Sequence, residues 1–154
     1  MMPYYLDTSA LIKHYVAEPG SQWVEAVVFE PDDALLLTSR VTMVEVWSAL
    51  ARRRREISIS SQDHADALAA FREDCLTRYH FVEFEMPVVE LAGQLLDRHP
   101  LRAYDAVQLA SALIVSQTLS EAGFPALTFL SADDRLLAIA RAEELLTDNP
   151  NLPP

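Results

Sequence analysis

Pro3-Tyr4-Tyr5-Leu6-Asp7-Thr8-Ser9-Ala10-Leu11-Ile12 lies at the start of the chain, and the change of pattern at Asp7 decides how the rest is read. Pro3 to Leu6 suits a short buried strand, and Thr8 or Ser9 can cap a helix reaching about Ala17, before the Pro19-Gly20 break. Asp7 stands where the apolar run stops. A carboxylate withdrawn from water is costly unless something pairs with it. Three further segments repeat the arrangement: Val44-Glu45-Val46-Trp47, Arg102-Ala103-Tyr104-Asp105-Ala106-Val107, and Phe129-Leu130-Ser131-Ala132-Asp133-Asp134-Arg135-Leu136. Twelve Lys and Arg residues face twenty-three Asp and Glu, so organic cations are scarce and a divalent metal is the natural partner.

Working outward, helix and strand signals alternate. Ser21 caps a helix to about Phe29, and Leu35-Leu36-Leu37-Thr38 reads as a strand buried on both faces. Val41 to Arg55 is expected to be helical, with four arginines at the end where the helix dipole favours cations. Ser60 or Ser61 opens the next helix, with apolar positions 68, 71, 75, 76 and 79 on one face. Residues 81–86 alternate with a period of two and suggest a strand, and Pro87 suits the first turn of a helix to Arg98. A helix over Arg102 to about Glu121, a strand over Ala126 to Ser131 and a helix from Asp133 to about Glu144 complete the pattern. It predicts an α/β fold of three layers, a central, mainly parallel sheet flanked by helices, as one domain over residues 1–147 with a loose tail over 148–154. Sites in such sheets form at the carboxyl ends of strands, where Asp7 and Asp133 fall.

The totals exclude several classes. No apolar run approaches the ~18 residues of a membrane span, and no basic-then-apolar leader is visible, so a cytoplasmic protein is expected. Cys75, the only cysteine, reads as core beside Leu68, Phe71, Leu76 and Tyr79. His14, His64, His80 and His99 lack zinc-ligand spacing, and Trp23 and Trp47 read as core or interface. The net charge of −11 argues against a nucleic-acid partner, but bound metal neutralises charge where phosphate must sit. The one basic run, Arg52, Arg53, Arg54 and Arg55, is a weak candidate for RNA or partner contact and chiefly a solvated helix end.

Two carboxylates about 5 Å apart repel by roughly 3 kcal/mol at an effective dielectric near 20. Mg²⁺ or Mn²⁺ resolves such crowding: both take oxygen ligands, and both can activate water and stabilise the leaving oxygen at a phosphodiester.

Tyr5-Leu6-Asp7-Thr8-Ser9, Val44-Glu45-Val46, Arg102-Ala103-Tyr104-Asp105-Ala106-Val107-Gln108 and Ser131-Ala132-Asp133-Asp134-Arg135-Leu136 resemble, in order and spacing, the four signatures of PIN domains. Among these the chain is most similar to VapC-type toxins. The resemblance implies a three-layer PIN-like domain and a Mg²⁺-dependent (or Mn²⁺-dependent) endoribonuclease that hydrolyses RNA through a metal-activated water. It also implies a homodimer held inactive by a cognate antitoxin. Carried over, Asp7, Glu45, Asp105 and Asp133 form the acidic site, with Asp7 and Asp105 as direct metal ligands and Thr8, Ser9 and Ser131 orienting ligands or water. Gln108 stands where many relatives have His, and no catalytic role is attached to it.

Two phosphotransfer folds, haloacid-dehalogenase phosphatases and receiver domains, also begin with a strand and an Asp. Both need a late lysine, and Lys13 is the only lysine. The alternative of another class is a PIN-like, non-catalytic binding module that assembles with a partner protein.

Overall fold

Bulky Tyr4, Tyr5 and Leu6 favour extended backbone, and β1 (Met2–Leu6) forms from them, at the centre of the sheet. In this computed structural model, which describes residues 1–152, the strand order is β3-β2-β1-β4-β5 and every pairing is parallel. The other strands are β2 (Ala34–Ser39), β3 (Tyr79–Val82), β4 (Thr128–Leu130) and β5 (Leu146–Asp148). Tyr5 lies level with Leu37 on one side and Phe129 on the other. From β1 the chain winds outward through β2 and β3, then returns to the other side of β1 for β4. The carboxyl ends flanking such a reversal leave a crevice between them.

Side chains alternate across the sheet and build two cores. Tyr5 and Leu37 pack with α5 (Met86–Arg98), α6 (Ala103–Glu121) and α7 (Asp134–Ala142). Leu6 and Leu36 face the other way, onto α1 (Thr8–Leu11), α2 (Ser21–Val24), α3 (Val41–Arg55) and α4 (Ser61–Thr77). Leu50 of α3 and Leu95 of α5 are fully buried, each worth about 2 kcal/mol by removal from water. The expected three-layer α/β fold is the one observed.

Local expectations needed four corrections. The first helix stops at Leu11 and continues only as a 3₁₀ turn over Ile12–His14. The strand expected over 81–86 is Tyr79–Val82, because β2 ends at Ser39 and the Arg40 N–H takes the Val82 carbonyl at 2.9 Å, leaving no further ladder. Phe84 is exposed in the following loop. Leu76, assigned to a buried face, is 84% exposed, since five residues beyond Phe71 is some 140° around a helix. Cys75 is only half-buried, against the second core.

The fourth correction concerns the tail expected to be loose from Asp148. Asp148 ends β5, level with Leu130 of β4. Asn149 then donates to Asp134, and Pro150 is buried against Gly20. Gly20 has φ +89°, and a Cβ there would lie 2.8 Å from the Pro150 carbonyl oxygen. The remainder of that tail, Pro153 and Pro154, lies outside the described residues. Among the described residues no helix is long and apolar enough to cross a membrane.

Candidate active site

Asp7 follows β1 directly, and its N–H continues the ladder by donating to the Leu130 carbonyl at 3.1 Å. Its extended backbone makes it the N-cap of α1: Oδ1 accepts the Ala10 N–H at 3.0 Å and the Ser9 hydroxyl at 2.7 Å. The residue is only 5% exposed. Burial raises its pKa to about 6. The Ser131 and Ser9 hydroxyls and the Ala10 N–H oppose that rise, and the charge of Asp105 adds to it.

Glu45 projects from the second turn of α3 and is held from two sides. Thr8 donates to its Oε1 at 2.9 Å, and Gln108 Nε2 donates to the same oxygen at 2.7 Å. Gln108 is itself buried. It accepts the Tyr5 hydroxyl at 2.7 Å and also donates to Thr42 Oγ1 at 2.9 Å. A line of hydrogen bonds thus runs from the sheet centre to the Glu45 carboxylate. Both donors fall on Oε1, so Oε2 is the oxygen able to turn toward a ligand.

Asp105 lies in the first turn of α6. Its pKa is raised by burial and by the charges of Asp133 and Glu45, and the Arg102 guanidinium works against this. Asp133 is exposed and caps α7, its Oδ1 accepting the Arg135 N–H at 2.9 Å. Ser131 is buried, and its Oγ accepts the Asp133 N–H at 3.0 Å and lies 3.4 Å from Ser9 Oγ. Ser9 also accepts the Ala132 N–H at 2.9 Å, which ties the Asp7 loop to the loop after β4.

All four acids line one cavity of about 370 Å³ beside the chain reversal, together with Thr8, Ser9 and Gln108. Arg52, Arg53 and Arg102 line it too, whereas Arg54 and Arg55 do not. Arg53 is also paired with Glu18 at 3.1 Å. The single lysine is elsewhere, buried with Nζ 3.1 Å from Glu18 and 2.7 Å from the Pro19 carbonyl. Among the described residues none of the four acids forms an ion pair with an arginine.

That donor set suits a hard divalent cation. It consists of oxygen, is crowded with negative charge, and includes a buried carboxylate that resists ionisation. Among the described residues no three acids, imidazoles or thiols are close enough to enclose one ion. Mg²⁺ does not require this, because it commonly keeps several waters and binds through one or two carboxylates.

Sequence reasoning noted Gln108 without giving it a role and did not single out Thr42 or Arg102. Gln108 carried a legible signal, an amide three residues after Asp105 within the run Ala106-Val107-Gln108-Leu109-Ala110, the position of a neighbour on the same helix face. Arg102 and Thr42 had none, because only the folded chain brings Arg102 to the cavity and Thr42 to the Gln108 amide.

Comparison with known proteins places these features in a family. The model of the PIN domain matches residues 4–142. Ribonucleases VapC45 and VapC49 of two Mycobacterium tuberculosis strains are each 37% identical to this chain over 138 residues, 90% of this chain and 89% of theirs. Among solved structures, FitAB bound to an IR36 DNA fragment superposes with a TM-score of 0.64 at 16% identity, covering 97% of this chain and 96% of that one. VapBC2 from Rickettsia felis, bound to a promoter DNA fragment, does so with a TM-score of 0.60 at 15% identity, covering 96% and 98%. These two likenesses concern the fold. The family match over nearly the whole chain, a span that includes the four acidic segments, shows that this protein belongs to the PIN-domain family.

Proposed function

We propose that the chain is a divalent-metal-dependent endoribonuclease and the toxin of a toxin–antitoxin pair. The observation that carries this reading is the cavity itself, four carboxylates from four separate segments ringed by three arginines at the carboxyl ends of β1 and β4. The ribonuclease names of the relatives that are 37% identical support the reaction class. A toxin–antitoxin complex from Klebsiella pneumoniae, which superposes with a TM-score of 0.58 at 17% identity over 88% of this chain and 90% of that one, supports the setting.

In this reading Asp7 and Asp105 hold Mg²⁺ (or Mn²⁺), which supplies charge neutralisation and water activation at phosphorus. Thr8 and Gln108 fix Glu45, which would accept the proton of the attacking water as the P–O bond to the leaving ribose oxygen breaks, that oxygen taking a proton from solvent. Ser9 and Ser131 hold Asp7, and Asp133 adds negative potential at the rim while capping α7. Arg52 and Arg102 receive the non-bridging oxygens of the phosphate being cut. The protein acts in the cytoplasm as a homodimer. A cognate antitoxin covers exposed apolar side chains such as Trp47 and Phe84 and sets an arginine or lysine among the acids.

Purified protein is expected to cut single-stranded RNA with Mg²⁺ or Mn²⁺, to stop in EDTA, and to lose at least a hundredfold in rate in Asp7→Asn and Asp105→Asn. Undiminished cleavage in both variants defeats the mechanism. A second reading is a partner-binding module without catalysis, which exposed apolar side chains such as Trp47 and Phe84 would serve. Calorimetry separates the two: a module binds its partner but neither Mg²⁺ nor Mn²⁺, and cuts no RNA.

A further inference from the structure

Beside the acidic cavity lies a second groove of about 480 Å³ with a different lining. Val41, Val44 and Tyr104 give it an apolar wall, and Ser48 contributes a hydroxyl. Thr8, Glu45, Ala49 and Arg52 line both hollows, so the two adjoin. Val44 is 70% exposed and Tyr104 60% exposed, although neither supports the core. Tyr104 immediately precedes Asp105 on α6 and follows Arg102 by two residues.

Resting on the nuclease reading above, we propose that this groove holds one unpaired nucleobase of the RNA, next to the phosphate being cut, with Tyr104 as its stacking face. The occupant must be flat and apolar at the Tyr104–Val44 wall yet joined to an anion at Arg52, where the hollows meet. A base linked through ribose to a phosphate meets both demands. A basic protein segment suits the chain's charge of −11 but not a groove whose cation is Arg52. Stacking tolerates every base, because each has a π face, whereas the Ser48 hydroxyl can bond a base edge and confer preference.

The test measures cleavage of a short single-stranded RNA by wild type, Tyr104→Ala and Tyr104→Phe, and of the same RNA with an abasic ribose on either side of the cut bond. In wild type, one abasic position is expected to raise KM by roughly five- to a hundredfold. Tyr104→Ala raises KM similarly on intact RNA and is insensitive to that abasic position, and Tyr104→Phe recovers most of the loss because the ring does the stacking. Thermal unfolding of Tyr104→Ala is recorded alongside, and the abasic series on wild type stands without any variant. Equal KM at every abasic position overturns the subsite while leaving the nuclease intact. Unchanged RNA kinetics in Tyr104→Ala, with weakened binding of a protein partner, assigns the groove to that partner and overturns it also. Absence of cleavage by wild type overturns the nuclease reading, and the subsite with it.

Discussion

Replacing Asp7 by Asn should make the metal-free protein more stable while abolishing its activity. Asp7 is 5% exposed, and its pKa is displaced from 3.8 to about 6 by burial, with Asp105 adding to it. Keeping the carboxylate ionised at neutral pH therefore costs the fold about 3 kcal/mol. Asn removes the charge and keeps an Oδ1 that accepts the Ala10 N–H and the Ser9 hydroxyl, although bonds to a neutral acceptor are weaker. The net gain should be about 1–2 kcal/mol, or roughly 3–6 °C in Tm for a chain of this size. The folded protein holds this proton more tightly than the unfolded chain. Asp7's favourable contribution is thus complete below about pH 4 and lost as the pH rises through about 6. Thermal unfolding in EDTA should show the variant's advantage in full at pH 7.5 and shrinking toward pH 4. Adding Mg²⁺ should raise the Tm of wild type, through binding to the native state alone, and leave the variant nearly unmoved. A variant less stable than wild type at pH 7.5, or a gap indifferent to pH, would refute the reasoning.

Gln108→Leu should leave the Tyr5 hydroxyl without its acceptor and Glu45 without one of its two donors. A loss of about 1–3 kcal/mol in chemical denaturation is expected, with a fall in kcat larger than that in metal affinity; a silent substitution would show that Glu45 needs no such support. Gly20→Ala meets both a positive φ and the Pro150 carbonyl oxygen, so urea unfolding should show a loss of at least about 1 kcal/mol. An unchanged midpoint would mean that the segment after β5 does not dock on Gly20.

The sheet was legible because its central strands are short apolar runs with sharp ends, and Leu35-Leu36-Leu37-Thr38 can hardly be anything else. β5 was not, because Leu146-Thr147-Asp148 is too short to carry a period and is a strand only through the neighbouring β4. Leu76 misled because hydrophobicity alone does not say which side of a helix faces inward; a single residue, a step of about 100°, separates half-buried Cys75 from exposed Leu76. The acids were conspicuous in the sequence since each interrupts an apolar run. Their supports were hidden. Thr42 and Tyr5 are ordinary residues of a helix and a strand until Gln108 joins them, across 66 and 103 positions of the chain.

β4 has a consequence for how the protein comes into being. It is the neighbour of β1, yet it is contributed by residues 128–130, after most of the chain has been synthesised. Until then Asp7 has no Leu130 carbonyl beside its N–H, and Ser9 has no Ala132 N–H to receive. A nascent chain that has emerged as far as α5 can pair β1, β2 and β3 but has only one wall of the crevice. Translation therefore delivers Asp7, Glu45 and Asp105 before it delivers the place where they meet Asp133, and a product shortened before Thr128 would carry those three without the closed crevice.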